Sequence, residues 1–259
     1  MQSQQLQRHA WVDVGLLFCS YYLFIWIIPR FQISGYFQKT TLFLGIFSLG
    51  FYFFYFSPKI QNDSPGRRGL GKKNQLFIKT DNFREALPLY GVFAISSSLI
   101  LGCMIYWKST QIDLGIEWSS VLLKFVCYLL SATIQDLVFF SLLLLRLRVL
   151  VNANMSSQEE LARQFAAVLL LAVAVGFSHY PNWPLAFFSS VFAFCIGWIF
   201  YTHPNLFLVV IMHAFFGTML HRIYQLHMKF GIFYANYDSQ AHFFRKLIPG
   251  LEMLIGSRW

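Results

Sequence analysis

Charged residues are scarce in this chain. They make up 12% of its 259 residues, whereas a soluble domain normally carries about 25%. Hydrophobic residues make up 57% and aromatic residues 19%, and the apolar residues come in runs too long for one water-facing core. This composition excludes an ordinary soluble domain and indicates an all-α polytopic membrane protein, with the lipid bilayer as its surroundings.

The sequence also lacks the motifs of metal, disulfide and secretion chemistry. No cysteine has a second one at C-x-x-C spacing, so we expect neither a zinc site nor a disulfide framework. The N-terminal stretch MQSQQLQRHAWVDVG has no basic region followed by a small-residue cleavage site, so we expect no removable signal peptide. The cysteines lie in hydrophobic runs and are interpreted as small packing residues: Cys19, Cys103, Cys127 and Cys195.

Most positive charge lies between the hydrophobic runs. The formal net charge is +9, which in a soluble protein would suggest a nucleic-acid partner. In a membrane chain, the same residues more simply set the topology and contact anionic headgroups, and we expect no nucleic acid.

The apolar runs predict seven to eight transmembrane helices, because one span needs roughly 17–25 apolar residues. The run 118–150 is too long for one perpendicular helix, so it predicts a steeply tilted helix or two helical pieces meeting near SATIQD. Ser157 precedes Glu160 by three residues, the spacing of a capping box, which predicts the start of the fifth helix. The predicted spans are 11–28, 41–56, 87–107, 118–150, 157–177, 185–201 and 206–223.

We divide the chain into N-terminal helices with a basic loop at 57–85 (1–117), a core (118–223) and an amphipathic tail (224–259). The basic loop carries seven lysines and arginines, and Arg146, Arg148 and Arg163 fall on the same predicted side. The opposite loops contribute three, Arg30, Lys39 and Lys108. This asymmetry predicts a cytoplasmic N-terminus, with a bacterial inner membrane as the expected location. The basic tail would then lie outside, which points to an eighth re-entrant piece or a wrong span.

Several polar residues fall where a bilayer penalises them. Asp136 has apolar turns on both sides, so its compensation must come from another helix, and the histidines are the candidates. Lys124 lies about 18 Å along the same helix, too far to pair, and is expected to snorkel. Asp13 and Glu117 are close enough to interfaces to be solvated. The polar residues in or near the spans are Lys124, Gln135, Asp136, His179, His203, His213 and His221.

Three ordered stretches resemble the motifs of the CAAX-protease and bacteriocin-processing family of intramembrane proteases, also called Abi or CPBP proteins. QDLVFFS, residues 135–141, resembles E-E-x-x-x-R and keeps Phe139. VGFSH, ending at His179, resembles F-x-x-x-H, and HAFFG, residues 213–217, resembles H-x-x-x-N. The resemblance covers about 118–223 and implies a CPBP-like helical bundle.

The resemblance implies a catalytic machinery that this chain keeps only in part. In the family, the first Glu and the second-motif His are thought to activate a water, while the third-motif His and Asn hold the oxyanion. Here Gln135 stands in the Glu position, Phe140 in the Arg position, Gly217 in the Asn position, and Val175 in the Phe position of the second motif. Losing one oxyanion donor typically costs about 10²- to 10³-fold in rate. The residues that remain are Asp136, His179 and His213.

These departures favour a catalytically degenerate protein, a scaffold or a subunit that binds other membrane proteins or a membrane-embedded peptide. A buried carboxylate paired with a histidine merely to lock helices is a simpler reading of the same residues. A second hypothesis is an atypical endopeptidase in which Asp136 and His179 polarise water and His213 holds the oxyanion. A third is a site in which Asp136, His179 and His213 bind a metal, or two histidines bind haem; otherwise we expect no cofactor. Three glycines are expected to allow close helix contact: Gly176, Gly197 and Gly217.

Overall fold

The regular structure is helical throughout the part of the chain that the computed structural model describes, residues 2–23, 48–57, 82–109, 118–155 and 159–222, with no strand among them. Among the described residues, π-helical turns occur at Tyr52–Phe56 and at Phe139–Leu143. The α-helices for which both ends are described are α1 (Gln2–Tyr22), α2 (Phe83–Ser109), α3 (Trp118–Val138), α4 (Leu144–Asn154), α5 (Glu160–Ser178), α6 (Trp183–Thr202) and α7 (Leu206–Arg222).

Three of these helices, α2, α5 and α6, are long and apolar enough to cross a membrane, and α7 is a shorter apolar helix. Their outward faces carry large aliphatic side chains: Leu99 is 65% exposed and Val173 60%. These observations fit the predicted all-α membrane protein. Ser157, the tail 224–259 and nearly all of the loop 57–85 lie outside the described residues.

The cysteines do not all pack as expected. Cys19, Cys103 and Cys127 are exposed on α1, α2 and α3, and only Cys195 is partly buried. The interpretation as packing residues is therefore wrong for three of the four. Each exposed thiol lies on an outward apolar face, where a free cysteine behaves as a small hydrophobic side chain.

The long run 118–150 lies in a helical segment that continues without a break from Trp118 to Asn154. Within it, the π-helical turn Phe139–Leu143 lies just after the SATIQD stretch, near which the prediction placed the meeting of two helical pieces. This wider turn places Phe140 inside the bundle, where it is 2% exposed. Single π-helical turns of this kind occur frequently at functional sites.

Close helix crossings depend on glycine at two positions. The main packed pairs are α5 with α6, α3 with α7 and α1 with α4. A Cβ atom at Gly176 would overlap Ser190 Oγ, and one at Gly197 would lie 3.1 Å from Leu171 Cδ2. The prediction that these glycines allow close helix contact is confirmed.

Asparagines fix one end of the bundle. Asn205 Oδ1 accepts a hydrogen bond from the Leu208 amide (3.2 Å) and caps the start of α7. Its Nδ2 donates to Asn82 Oδ1 (3.2 Å), and Asn82 Nδ2 donates to the Pro204 carbonyl (3.0 Å). The start of α2 and the α6–α7 turn therefore lie at the same end of the helix bundle. Because successive helices run antiparallel, the end of α5 and the end of α7 lie at the other end.

A buried ion pair joins α1 to α4. Arg146 Nε donates to Asp13 Oδ2 (2.5 Å), and both residues are 1% exposed. Ser57 Oγ donates to the same oxygen (2.6 Å), and the Tyr52 hydroxyl donates to Asp13 Oδ1 (2.9 Å). The expectation that Asp13 is solvated is wrong, since its partners come from distant segments. Arg146 is buried as well, so it does not belong among the interfacial charges from which the membrane orientation was predicted.

Replacing Gly176 by leucine should destabilise the protein, because the new side chain overlaps Ser190 Oγ and approaches the Ala186 carbonyl. Overpacking of this kind costs about 1–3 kcal/mol. Thermal unfolding in detergent should show a lower midpoint for Gly176→Leu. Gly91→Leu is the matched control, because no atom lies within 4 Å of a Cβ there. Equal midpoints for the two variants would contradict the close crossing.

Replacing Asp13 by asparagine should also destabilise the protein, because it removes the carboxylate that forms the ion pair with the buried Arg146 guanidinium. Breaking a buried pair costs about 3–5 kcal/mol. Glu85→Gln is the control, since Glu85 is exposed in the first turn of α2. The measurement is the unfolding midpoint of each variant in the same micelles. A midpoint for Asp13→Asn as high as that of Glu85→Gln would show that the pair does not hold α1 to α4.

Candidate functional site

A cavity of about 200 Å³ lies among α2, α3, α5, α6 and α7. Its walls are mostly aromatic and aliphatic. Every position that the sequence motifs single out contributes to this one lining: Gln135, Asp136, Phe139, Phe140, Val175, His179, His213 and Gly217. These residues come from different helices and meet around one space, so this cavity is the candidate site.

Asp136 and His213 form the polar centre of the cavity. Asp136 is fully buried, and its Oδ1 lies 2.8 Å from His213 Nδ1. A carboxylate can only accept, so Nδ1 donates and a neutral His213 carries its lone pair on Nε2. No hydrogen-bond partner for Asp136 Oδ2 occurs among the described residues. Asp136 therefore holds a buried acceptor oxygen next to an oriented imidazole.

His179 lines the same cavity but is held differently. It directly follows α5, and its Nδ1 donates to the Val175 carbonyl (2.7 Å), with Ser178 Oγ at 3.2 Å. Removal from water lowers the pKa of His179 to about 4, so its imidazole is neutral near pH 7. Because Nδ1 carries the proton, Nε2 carries the lone pair. Of the two histidines expected to compensate Asp136, His213 makes the direct contact.

Gln135 and Phe140, which match positions of the first motif, make contacts within the helix bundle. Gln135 Nε2 donates to Ser131 Oγ (2.8 Å), one turn earlier on α3. Phe140 occupies the position of the family's arginine and packs its ring 5.7 Å from that of Phe200 and 6.4 Å from that of Phe192. An aromatic side chain in the core thus stands where the resemblance expects a cation.

Tyr128 is a site residue that sequence reasoning missed. Its ring lies against Gly217, where an added Cβ would overlap Tyr128 Cε1. It also meets His213 edge-on at 5.6 Å between centroids, and Lys124 Nζ lies 5.5 Å from its centroid. The sequence signal for an aromatic neighbour was Gly217, because a glycine at a packed position leaves a volume that a neighbouring side chain fills. The chain has many aromatic residues, and the sequence did not show that Tyr128 is the one that fills it.

The remaining histidines lie away from the cavity lining. His203 Nδ1 is 2.9 Å from Thr202 Oγ1 at the α6–α7 turn, and His221 lies in the last turn of α7. Across the described ranges, no three His, Cys, Asp or Glu side chains are placed to hold a metal ion. Asp136, His179 and His213 share a cavity but do not form the three-ligand cluster that the metal hypothesis needs.

No protein-family model matches the chain, and no curated protein or solved structure is significantly similar to it. The CPBP resemblance stays a prediction drawn from the motif residues.

Restoring the family's asparagine should test the role of Tyr128. We expect Gly217→Asn alone to destabilise the protein, because the new side chain meets the Tyr128 ring. The double variant Gly217→Asn with Tyr128→Ala should recover at least half of the loss, since the ring is gone. Unfolding midpoints of the two single variants and the double variant measure this coupling. Additive losses would contradict the packing of Tyr128 against Gly217.

Proposed function

We propose that this chain is a catalytically degenerate CPBP-like membrane protein, a partner-binding subunit whose cavity holds an apolar membrane partner without cleaving it. The observation that carries the proposal is the Tyr128 ring. It occupies the space beside Gly217 into which the family's oxyanion-binding asparagine would project. The cavity is retained, and the Tyr128 ring lies where the side-chain amide of that asparagine would donate a hydrogen bond.

The polar atoms of the cavity are poorly suited to peptide hydrolysis. Gln135 cannot take a proton from water, because a carboxamide is not a base. His213 Nδ1 donates to Asp136, so this nitrogen is not available to an oxyanion. Stabilising developing negative charge requires donors aimed at it. The Asp136 carboxyl oxygen beside this imidazole is an acceptor and offers such a charge no donor.

The proposal includes an arrangement in the membrane. The chain crosses the bilayer seven or eight times in a CPBP-like bundle, with its N-terminus in the cytoplasm of a bacterial cell. Asn82, Arg148 and the α6–α7 turn cluster at one end of the bundle, as Arg148 Nη1 donates to the Tyr201 carbonyl (3.3 Å). That end faces the cytoplasm, and His179 at the end of α5 faces the opposite side. Other membrane proteins contact the exposed apolar helix faces.

A second candidate function is peptide hydrolysis by an Asp–His pair. The observation that favours it is the bond between Asp136 and His213 Nδ1, which orients the imidazole with Nε2 as a base. Hydrolases use the same carboxylate–imidazole arrangement. This assignment differs from the sequence-based one, in which Asp136 and His179 activate the water.

A cleavage assay distinguishes the two functions. Purified protein in liposomes is incubated with a fluorogenic transmembrane peptide, alongside Asp136→Asn and His213→Gln. We expect all three proteins to give the same background rate, because none has a complete set of base and oxyanion donors. Size-exclusion profiles establish that the variants are folded. Turnover by the wild type that both substitutions abolish would overturn the proposal and establish a peptidase.

A further inference from the structure

We propose that a second cavity, at the end of the bundle where α6 turns into α7, binds the headgroup of a phosphatidylethanolamine molecule. In this site Arg148 binds the phosphate and Glu160 binds the ammonium group. The site is separate from the cavity around Asp136, and it does not depend on whether that cavity cleaves peptides. Three observations carry the inference: the level of the cavity in the membrane, the way Arg148 is held, and the opposite charge of Glu160.

The second cavity lies at the level of the lipid headgroups. It measures about 340 Å³ and is lined by Arg148, Glu160, Tyr201, Thr202 and Pro204. Helix α5 begins at Glu160 and α6 ends at Thr202, and both helices are long and apolar enough to cross a membrane. The cavity therefore lies where two candidate spans reach the same surface of the bilayer, beside its polar headgroup region. A pocket of this size accommodates a small-molecule group such as one lipid headgroup.

The Arg148 guanidinium is held in place while part of its hydrogen-bonding capacity stays unused. Its Cζ lies 4.2 Å from the centroid of the Tyr201 ring, and its Nη1 donates to the Tyr201 carbonyl (3.3 Å). It forms no ion pair with any residue in the described ranges. A guanidinium has five N–H donors in a planar fork that matches a phosphate, and contact with an aromatic ring fixes its plane. Arg148 thus offers ordered donors to an anionic group.

Glu160 adds a charge of the opposite sign to the same lining. It is exposed in the first turn of α5, and it pairs neither with Arg148 nor with another cation in the part of the chain that the structure describes. The Thr202 hydroxyl, which also lines the cavity, donates to the Ile199 carbonyl (3.1 Å) and lies 2.9 Å from His203 Nδ1. The lining therefore offers a ligand one cation and one anion, which favours a zwitterion.

Phosphatidylethanolamine carries the matching pair of charges. Its phosphate accepts a pair of hydrogen bonds from a guanidinium, and its primary ammonium group donates to a carboxylate. Phosphatidylcholine has the same charges but no N–H on its nitrogen, so it cannot donate to Glu160. Phosphatidylglycerol has no cation, and its phosphate would lie beside the Glu160 carboxylate with no compensating charge of its own. The two charged side chains therefore favour the ethanolamine headgroup over both.

The test measures the binding of these three lipids, with identical acyl chains, to the purified protein by native mass spectrometry. We expect the wild type to bind phosphatidylethanolamine about threefold more tightly than either other lipid, because an exposed charge pair contributes little. Glu160→Gln should remove this preference without weakening the binding of phosphatidylglycerol. Arg148→Gln should weaken the binding of all three lipids about tenfold, because the phosphate loses charge-assisted hydrogen bonds.

Arg84→Gln and Glu85→Gln are the matched controls. Both side chains are exposed at the start of α2, at the same end of the bundle, and neither lines the cavity. These variants should bind the three lipids as the wild type does. Thr202→Trp fills the cavity without changing a charge and should weaken the binding of all three lipids. Unfolding midpoints establish that each variant is folded.

Equal binding of the three lipids by the wild type would overturn the proposal, as would a preference for phosphatidylethanolamine that survives Glu160→Gln. Soluble glycerophosphoethanolamine distinguishes a membrane lipid from a free headgroup. We expect an equimolar amount of it to leave the lipid bound, because it lacks the acyl chains that keep the lipid in the bilayer. Its displacement of the lipid would overturn the assignment to a membrane lipid. Peptide turnover in the cleavage assay would overturn the proposed function alone.

Discussion

The hydrogen bond between Asp136 and His213 is the interaction on which the rest of the site depends. A carboxylate in a membrane helix costs several kcal/mol unless it is compensated. The compensation comes from α7, whose imidazole lies 2.8 Å away. This contact joins α3 to α7, which pack against each other along their lengths. Asp136 Oδ2 is left buried, with no hydrogen-bond partner among the described residues.

The positions around this pair are filled by aromatic side chains. Gly217 has no side chain, and the Tyr128 ring fills the volume beside it, which closes the wall between α3 and α7. Phe140 packs into the aromatic core beside Gly197. A second ion pair, Asp13 with Arg146, supports the same helix run from the α1 side.

Much of this arrangement was predictable from the sequence, and the failures have physical reasons. The apolar runs predicted α2, α5, α6 and α7 closely, and the ordered motifs predicted which residues share a cavity. Helix α1 begins at Gln2 rather than near Trp11, because glutamine and arginine are good helix formers that an apolar window ignores. Asp13 and Arg146 are 133 residues apart in the chain, and their contact depends on tertiary packing that periodicity does not report. For the same reason, the sequence did not reveal that Tyr128 packs against Gly217.

The most direct test of the central contact is a double-mutant cycle in lipid on Asp136→Leu and His213→Leu. His213→Leu leaves the fully buried Asp136 unpaired, and we expect it to lower the free energy of unfolding by about 3–5 kcal/mol. Asp136→Leu leaves the partly buried His213 without its partner and should lower it less. The double variant should be no less stable than His213→Leu, because the unpaired carboxyl group is removed as well. Strictly additive losses would show that the two side chains do not interact, and would contradict this account of the site.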